Sequence, residues 1–308
     1  MTEYAKYLAP IADVVFKKIF GDHPHLLKSF LNSILPLEEG REIVELTYLP
    51  PEIVPDIPEF RRTIADVLCT DPEGRKFIVE MQTTWEDKFK PRLVFETSKV
   101  VSRQLKVGED YCLLQPVYGL GLIGQSFDGD KDKWYHHYKL TDTQKSPHQS
   151  LDYVHLIFVE IPKVPLATRD MKKLGILWLR FMREVNENTK YVSPDLLAVP
   201  EISEAVKLTE AIAYTPGELR YYESYWGEIS VLNTLINGSA ARGKAEGKAE
   251  GKAEGKAEGK AEGKAEGLME GELKAQRAIA LKMRARSIPL EEIIEVTGLS
   301  QKDIENLE

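Results

Sequence analysis

An α/β fold, with a central mixed sheet flanked by helices, is what this sequence predicts. Three observations carry the prediction. An amphipathic helix begins at Asp13, a tight hairpin spans residues 64–82, and a helical segment at 86–106 is followed by further strand-like runs. Helix, hairpin, crossover helix and strands in that order suit helices packed around one sheet.

The first helix has Phe16, Phe20 and Leu27 as apolar anchors. Asp13 stands at its start. On the residues alone it reads as an N-cap. Lys17, one turn later, is placed to pair with it.

The hairpin is IADVLCTDPEGRKFIVEMQ, from Ile64 to Gln82. Residues 64–70 and 76–82 are rich in Ile, Val, Phe and Thr, as strands are. Pro72 suits the second position of a type I turn, and Gly74 the left-handed position after it. The result is a three-residue loop closed by a bulge, which pairs Asp71 with Arg75. In that register Asp66 lies opposite Glu80, with Cβ atoms roughly 5 Å apart. Gln82 shares the face of Glu80, because side chains alternate along a strand. Two carboxylates so close repel, and a shared proton or a divalent cation relieves them. The alternative is an exposed hairpin that carries scattered acids on one face.

In the helix expected at 86–106, Arg92, Lys99 and Arg103 recur at intervals of seven and four, hence on one face, which Glu96 shares. They read either as phosphate contacts or as a solvated face. Tyr111–Ile123, Trp134–Leu140 and Tyr153–Ile161 read as strands. Residues 169–186 read as a helix with Met171, Leu174, Leu177, Trp178 and Phe181 on its apolar side. Two more helices are expected at 201–214 and 217–237.

Three regions follow: a folded domain over 1–240, a spacer over 241–271 and a small helical element over 272–308. The spacer repeats GKAE six times from Gly243 to Glu266. Ala, Lys and Glu favour helix, but each Gly costs roughly 1 kcal/mol relative to Ala. The four-residue period also sets like charges at i,i+4. A solvated, partly helical spacer is expected. In the last region Ala275–Arg286, Leu290–Thr297 and Gln301–Leu307 read as helices, with Gly298-Leu-Ser300 as a turn and Ser300 as an N-cap. The arrangement resembles a helix-turn-helix, for which DNA binding is one reading. Its last helix, QKDIENLE, carries one Lys and three acids, which favours an interaction or oligomerisation module.

Composition bounds the function. The chain has 308 residues, 43% of them hydrophobic, enough for one sizeable core. No apolar run reaches 18 residues, and the N-terminus lacks the form of a signal peptide. Cys69 and Cys112 form neither a metal motif nor a disulfide framework, so a cytoplasmic location is expected. The net charge is −8, and residues 1–240 hold 28 basic and 35 acidic residues. No basic extension supplies an electrostatic footprint for nucleic acid.

The pattern of Asp66, Glu80 and Gln82 resembles the PD-(D/E)XK nuclease signature. More closely, the chain is similar to the recombination-promoting nuclease/putative transposase family of that superfamily. The resemblance rests on Asp13-Val-Val-Phe-Lys-Lys-Ile-Phe20, the segment 26–35, Asp66 with Ile78-Val-Glu-Met-Gln82, Arg92, the segment Arg103–Tyr111 and Val154–Lys163. It covers roughly residues 5–235. It implies a restriction-endonuclease-like core. Asp66, Glu80 and the main-chain carbonyl of Met81 would hold Mg²⁺ or Mn²⁺, and Gln82 would orient water or phosphate. Gln82 stands where the superfamily has Lys, and its amide supplies no positive charge. Asp13, Lys17, Arg92, Lys99 and Arg103 are accessory candidates, with Arg92, Lys99 and Arg103 as candidates for a relocated cation.

Three other patterns carry no chemistry. Gly119-Leu-Gly-Leu-Ile-Gly124 matches G-x-G-x-x-G by letter but runs into a turn rather than a helix, so it reads as a buried strand. Asp128-Gly-Asp-Lys-Asp132 starts like a calcium loop but has Lys139 at the twelfth position. His136 and His137 point to opposite faces of a strand. The expected function is a Mg²⁺-dependent endonuclease acting on DNA, with RNA as an alternative backbone, no membrane partner, and self-association through the C-terminal helices. The second reading is a nuclease-fold interaction or DNA-binding module with little catalysis.

Overall fold

The computed structural model describes residues 6–53, 63–144, 150–165 and 173–307. Two helices open the chain, α1 (Asp13–Phe20) and α2 (Pro24–Ile34). Short strands β1 (Thr47–Tyr48), β2 (Glu52–Ile53) and β3 (Thr63–Ile64) precede the hairpin β4 (Val67–Thr70) and β5 (Lys76–Gln82). Helix α3 (Phe89–Ser102) crosses to β6 (Val117–Ile123), and β7 (Tyr135–Thr141) and β8 (Ser150–Glu160) follow. Then come α4 (Lys173–Glu184), α5 (Pro194–Leu197), α6 (Pro200–Leu208), α7 (Pro216–Ala285), α8 (Leu290–Thr297) and α9 (Gln301–Glu305). Met171, expected on the apolar side of α4, lies outside the described residues.

Six strands form one sheet in the order β1-β4-β5-β6-β8-β7. β5, β6 and β8 run parallel, and the outer pairs are antiparallel. The sheet is mixed, as expected. Every residue of β6 is buried, because helices cover both faces of a parallel centre. On one face α3 packs Phe89, Leu93 and Val100 against Leu68, Ile78, Val117 and Phe158. On the other, α1, α2, α4 and α6 bury the larger core around Trp178, Phe16, Phe20 and Phe30.

The hairpin takes the register that its turn dictates, with Val67 opposite Val79 and Cys69 opposite Phe77. Gly74 has φ +86°, and its N–H donates to Asp71 O at 3.0 Å. Asp71 and Arg75 are buried. The Arg75 Nε–H donates to Asp71 Oδ2 at 2.6 Å, and Arg75 Nη1 donates to Arg41 O at 2.7 Å. This charge-assisted pair locks the turn.

The glycines of β6 have a packing role, as a buried strand requires. A Cβ on Gly121 would lie 2.7 Å from the Phe89 ring, and one on Gly119 would lie 2.5 Å from Thr97 Oγ1. Their absence lets α3 sit close to the sheet.

Some expected elements are shorter. The strand expected at 111–123 starts at Val117. Asp110 instead caps a 3₁₀ turn over Tyr111–Leu113, and Pro116 has no N–H for a ladder. The helix expected at 201–214 stops at Leu208, where the backbone of Thr209–Ala211 bonds to Lys6–Leu8. Arg103 falls just past the end of α3.

Contacts divide the chain into two units, Met1–Asn233 and Thr234–Glu308. In the second, the GKAE repeat is helical within α7, where the sequence argues for partial helix. Extending an existing helix avoids the cost of nucleating a new one. Ala280, Ile293, Leu299 and Ile304 form a small core there, and the Ser300 hydroxyl caps α9 by accepting from Asp303 N–H. Among the described residues no helix is long and apolar enough to cross a membrane.

Two stability measurements test these assignments. Asp71→Ala leaves Arg75 buried without its partner and is expected to cost about 3–5 kcal/mol in urea unfolding. Gly121→Ala overpacks the α3 interface and is expected to cost about 1–3 kcal/mol. A change below 0.5 kcal/mol in either would remove the corresponding packing role.

Candidate functional site

Asp66 lies one residue before β4, and Glu80 lies near the end of β5. The two are tied by reciprocal hydrogen bonds. The Asp66 N–H donates to Glu80 Oε1 at 3.1 Å, and the Met81 N–H donates to Asp66 Oδ2 at 2.7 Å. Each carboxylate thus grips the backbone of the opposite strand.

Glu80 lies on the same face as Ile78, which packs under α3. Arg92, in the first turn of α3, reaches it there. Its Nη2 donates to Glu80 Oε2 at 3.2 Å and to Gln82 Oε1 at 3.0 Å. Lys17 approaches from α1. Its Nζ lies 2.7 Å from Asp13 Oδ1 and 3.7 Å from Asp66 Oδ1. Ala12 occupies the N-cap position of α1 and Asp13 is its first helical residue, which corrects the capping reading of Asp13. Its carboxylate faces Lys17 and the Tyr221 hydroxyl, which donates to Asp13 Oδ2 at 3.2 Å.

The structure therefore brings Asp13, Lys17, Asp66, Glu80, Gln82 and Arg92 together. Lys99 and Arg103 lie further along α3. Lys99 stands over the Phe95 ring at 5.1 Å, and Arg103 is exposed past the last turn. Glu96 is buried on α3, not part of a solvated face, and its charge acts on Glu80. The sequence reading did not place Tyr221, Tyr225 or Thr83 at the site. Tyr225 is hydrogen-bonded to Thr83, next to Gln82. The only signal for the two tyrosines was the aromatic run 221–226, more than 130 residues from the hairpin.

Electrostatics favours occupation by a cation. Among the described residues Asp13, Asp66 and Glu80 face Lys17 and Arg92, and the charge of Glu96 acts on Glu80 from α3. Burial raises the Asp66 carboxyl, against the Met81 N–H and Lys17. Burial, Asp66 and Glu96 push Glu80 up to about 9. Arg92 pulls the other way, but its side chain is 39% exposed, and water screens it. Lys17 loses something to burial, yet Asp13 and Asp66 hold its ammonium above the ordinary value.

Such a pair fits a hard divalent cation that keeps its own waters and takes one or two carboxylates. Among the described residues no group of three or more His, Cys, Asp or Glu side chains is placed to hold a metal. Asp66 and Glu80 would then be the side-chain ligands, and the Met81 carbonyl and water the rest.

Other polar clusters pair among themselves, although His136 Nδ1 is buried without a hydrogen-bond partner among the described residues. In the loop that resembles a calcium site, the Lys163 ammonium takes the place of the cation and donates to Asp128 O at 2.8 Å and Asp130 O at 2.7 Å. His136 turns to Glu160, and His137 to His155.

A family model described as a PD-(D/E)XK nuclease family transposase matches residues 10–228. Neither the curated proteins nor the solved structures yield a match.

The raised Glu80 carboxyl has a measurable consequence. Its folded pKa lies above the unfolded value, so the folded state holds the extra proton. The stability this contributes is complete below pH 4.5 and is lost as pH rises through about 9. In EDTA, the stability of wild type relative to Glu80→Gln is expected to fall between pH 5 and 9, by at most about 1.4 kcal/mol per pH unit. Urea unfolding across that range checks it, and a difference that rises with pH would refute it.

Proposed function

This chain belongs to the PD-(D/E)XK nuclease family of transposases, and on that premise we propose that it is a metal-dependent endonuclease that hydrolyses phosphodiester bonds of DNA. Recombination or the movement of genetic elements is the setting that the family suggests. The observation that carries the reading is the Asp66–Glu80 pair, with Glu80 buried and Asp66 half-buried, tethered to backbone and set side by side with both carboxyls raised. The two free cysteines suit a reducing, cytoplasmic setting.

Asp66, Glu80 and the Met81 carbonyl would hold the ion, and Mg²⁺ or Mn²⁺ there would supply polarisation of the scissile phosphate and a lowered pKa of water. The residues around it orient the reactants. Gln82 accepts from Arg92 through Oε1, which leaves its amide N–H groups to direct water or a phosphate oxygen. Arg92 also holds the Glu80 carboxylate in place. Hydrolysis forms a bond from the water oxygen to phosphorus and breaks the bond to the leaving sugar oxygen. One water proton passes to solvent, and the leaving oxygen takes one up. Lys99 on α3 and Arg103 just past its end serve to contact flanking phosphates.

The C-terminal helices serve contact between copies of the chain. Met269 and Leu273 are exposed, and at spacings of four and seven they extend the side on which Ala280 is buried.

Supercoiled plasmid is the direct assay. Cleavage is expected with Mg²⁺ or Mn²⁺ and not with EDTA, and Asp66→Ala is expected to lower it at least about 100-fold. Mg²⁺ is also expected to raise the Tm of wild type more than that of Asp66→Ala. No cleavage of DNA in any metal would favour a binding module, and cleavage of RNA alone would change the substrate.

A further inference from the structure

We infer that Lys17, on α1, supplies the positive charge to the phosphate under attack that Gln82 cannot supply, and that Asp13 and Tyr221 hold it in position. The inference rests on the nuclease reading and concerns the same site. Negative charge develops on the transferring phosphate and its leaving oxygen, and a fixed cation nearby stabilises it. The third residue of the hairpin trio is an uncharged amide, so this charge must come from elsewhere in the fold.

Two cations adjoin the carboxylates, and their settings differ. Arg92 donates from one nitrogen to both Glu80 and Gln82. It acts as the counter-charge and support of those side chains. Its Nε is buried with no hydrogen-bond partner among the described residues, so that edge of the guanidinium faces protein. Lys17 is placed otherwise. Asp13 accepts one of its hydrogen bonds at 2.7 Å, while Asp66 Oδ1 stands at 3.7 Å, beyond hydrogen-bond reach. Its side chain is 45% exposed. An ammonium has three donors, so Lys17 keeps N–H groups for a phosphate oxygen seated by Asp66.

The tether has its own support. Tyr221 donates to the second oxygen of Asp13. One turn later on α7, Tyr225 is bonded to Thr83. The chain Tyr221–Asp13–Lys17 thus fixes the ammonium from behind, with α7 anchored beside Gln82. Asp13 and Tyr221 act through Lys17 and are positioning residues. During hydrolysis Lys17 neither gains nor loses a proton. It offsets charge while the water–phosphorus bond forms and the bond to the leaving oxygen breaks.

The test is single-turnover plasmid cleavage with Mg²⁺ by wild type, Asp66→Ala, Lys17→Met, Lys17→Arg, Tyr221→Phe and the double variant Lys17→Met/Gln82→Lys. The Mg²⁺-induced shift in Tm is measured beside each. Lys17→Met is expected to lower the rate at least about 100-fold. It should keep or enlarge the Tm shift, because a cation beside Asp66 is gone. Lys17→Arg should retain part of the rate. Tyr221→Phe should lower it about threefold to tenfold, a positioning effect. The decisive variant is the double one. Gln82→Lys is expected to restore at least tenfold of what Lys17→Met loses, since it returns the charge from β5. A structural role for Lys17 would not predict that rescue. Cleavage by folded Lys17→Met within threefold of wild type, with Asp66→Ala inactive, overturns the Lys17 assignment alone. If Lys17→Met does not fold, full activity in Lys17→Met/Gln82→Lys supports the assignment and inactivity of folded Lys17→Arg together with the double variant overturns it. A wild type inactive in every metal overturns the nuclease reading and this inference together.

Discussion

Everything at the site depends on one turn. The buried Asp71–Arg75 pair and the left-handed Gly74 fix the hairpin register. A slip of one residue would send Glu80 to the opposite face. In the observed register, Asp66 and Glu80 meet and each accepts a hydrogen bond from the other's strand. Those bonds set the carboxylates side by side despite their repulsion. The fold supplies the energy for that placement, through burial of Phe77, Ile78 and Val79 around them. The raised carboxyl of Glu80 is the electrostatic cost that remains.

The second constraint is closeness. Gly119 and Gly121 leave room for α3 to lie directly on β6. Phe89 fills the space above Gly121, and Arg92, one turn on, then points at Glu80 and Gln82. The same residues that resemble a nucleotide-binding glycine motif therefore serve packing. They act on the site through the distance between a helix and a sheet.

The third constraint is assembly from distant segments. The Asp66–Glu80 pair comes from one hairpin, but the cations come from α1 and α3 and the phenols from α7. Arg92 follows the hairpin closely, whereas α1 and α7 lie far from it and from each other in sequence. Which charges meet at the site is therefore not legible in the overall balance of the chain. A chain with net charge −8 still places an ammonium and a guanidinium beside the Asp66–Glu80 pair. Overall charge describes long-range steering, whereas short-range chemistry is set by which side chains the core brings into contact.

The sequence by itself determined the hairpin, its register and the Asp66–Glu80–Gln82 trio. These follow from local rules: Pro and Gly fix the turn, and period two fixes the face. It also determined the mixed sheet and the helices around it, through apolar periodicity. It did not settle whether Asp13 caps a helix or faces a site, nor whether Arg92, Lys99 and Arg103 act alike. Those depend on how α1 and α3 pack, and the packing set Asp13 against Tyr221 and turned Arg92 inward, while Arg103 falls past the helix end. Tyr221 and Tyr225 were illegible for the same reason. Their contacts span more than 140 residues, and no local pattern encodes a partner at that distance. The end of α6 at Leu208 is similar, since the N-terminal segment takes the hydrogen bonds that another helical turn would have used. Local propensity writes elements and faces, and tertiary packing decides which faces meet.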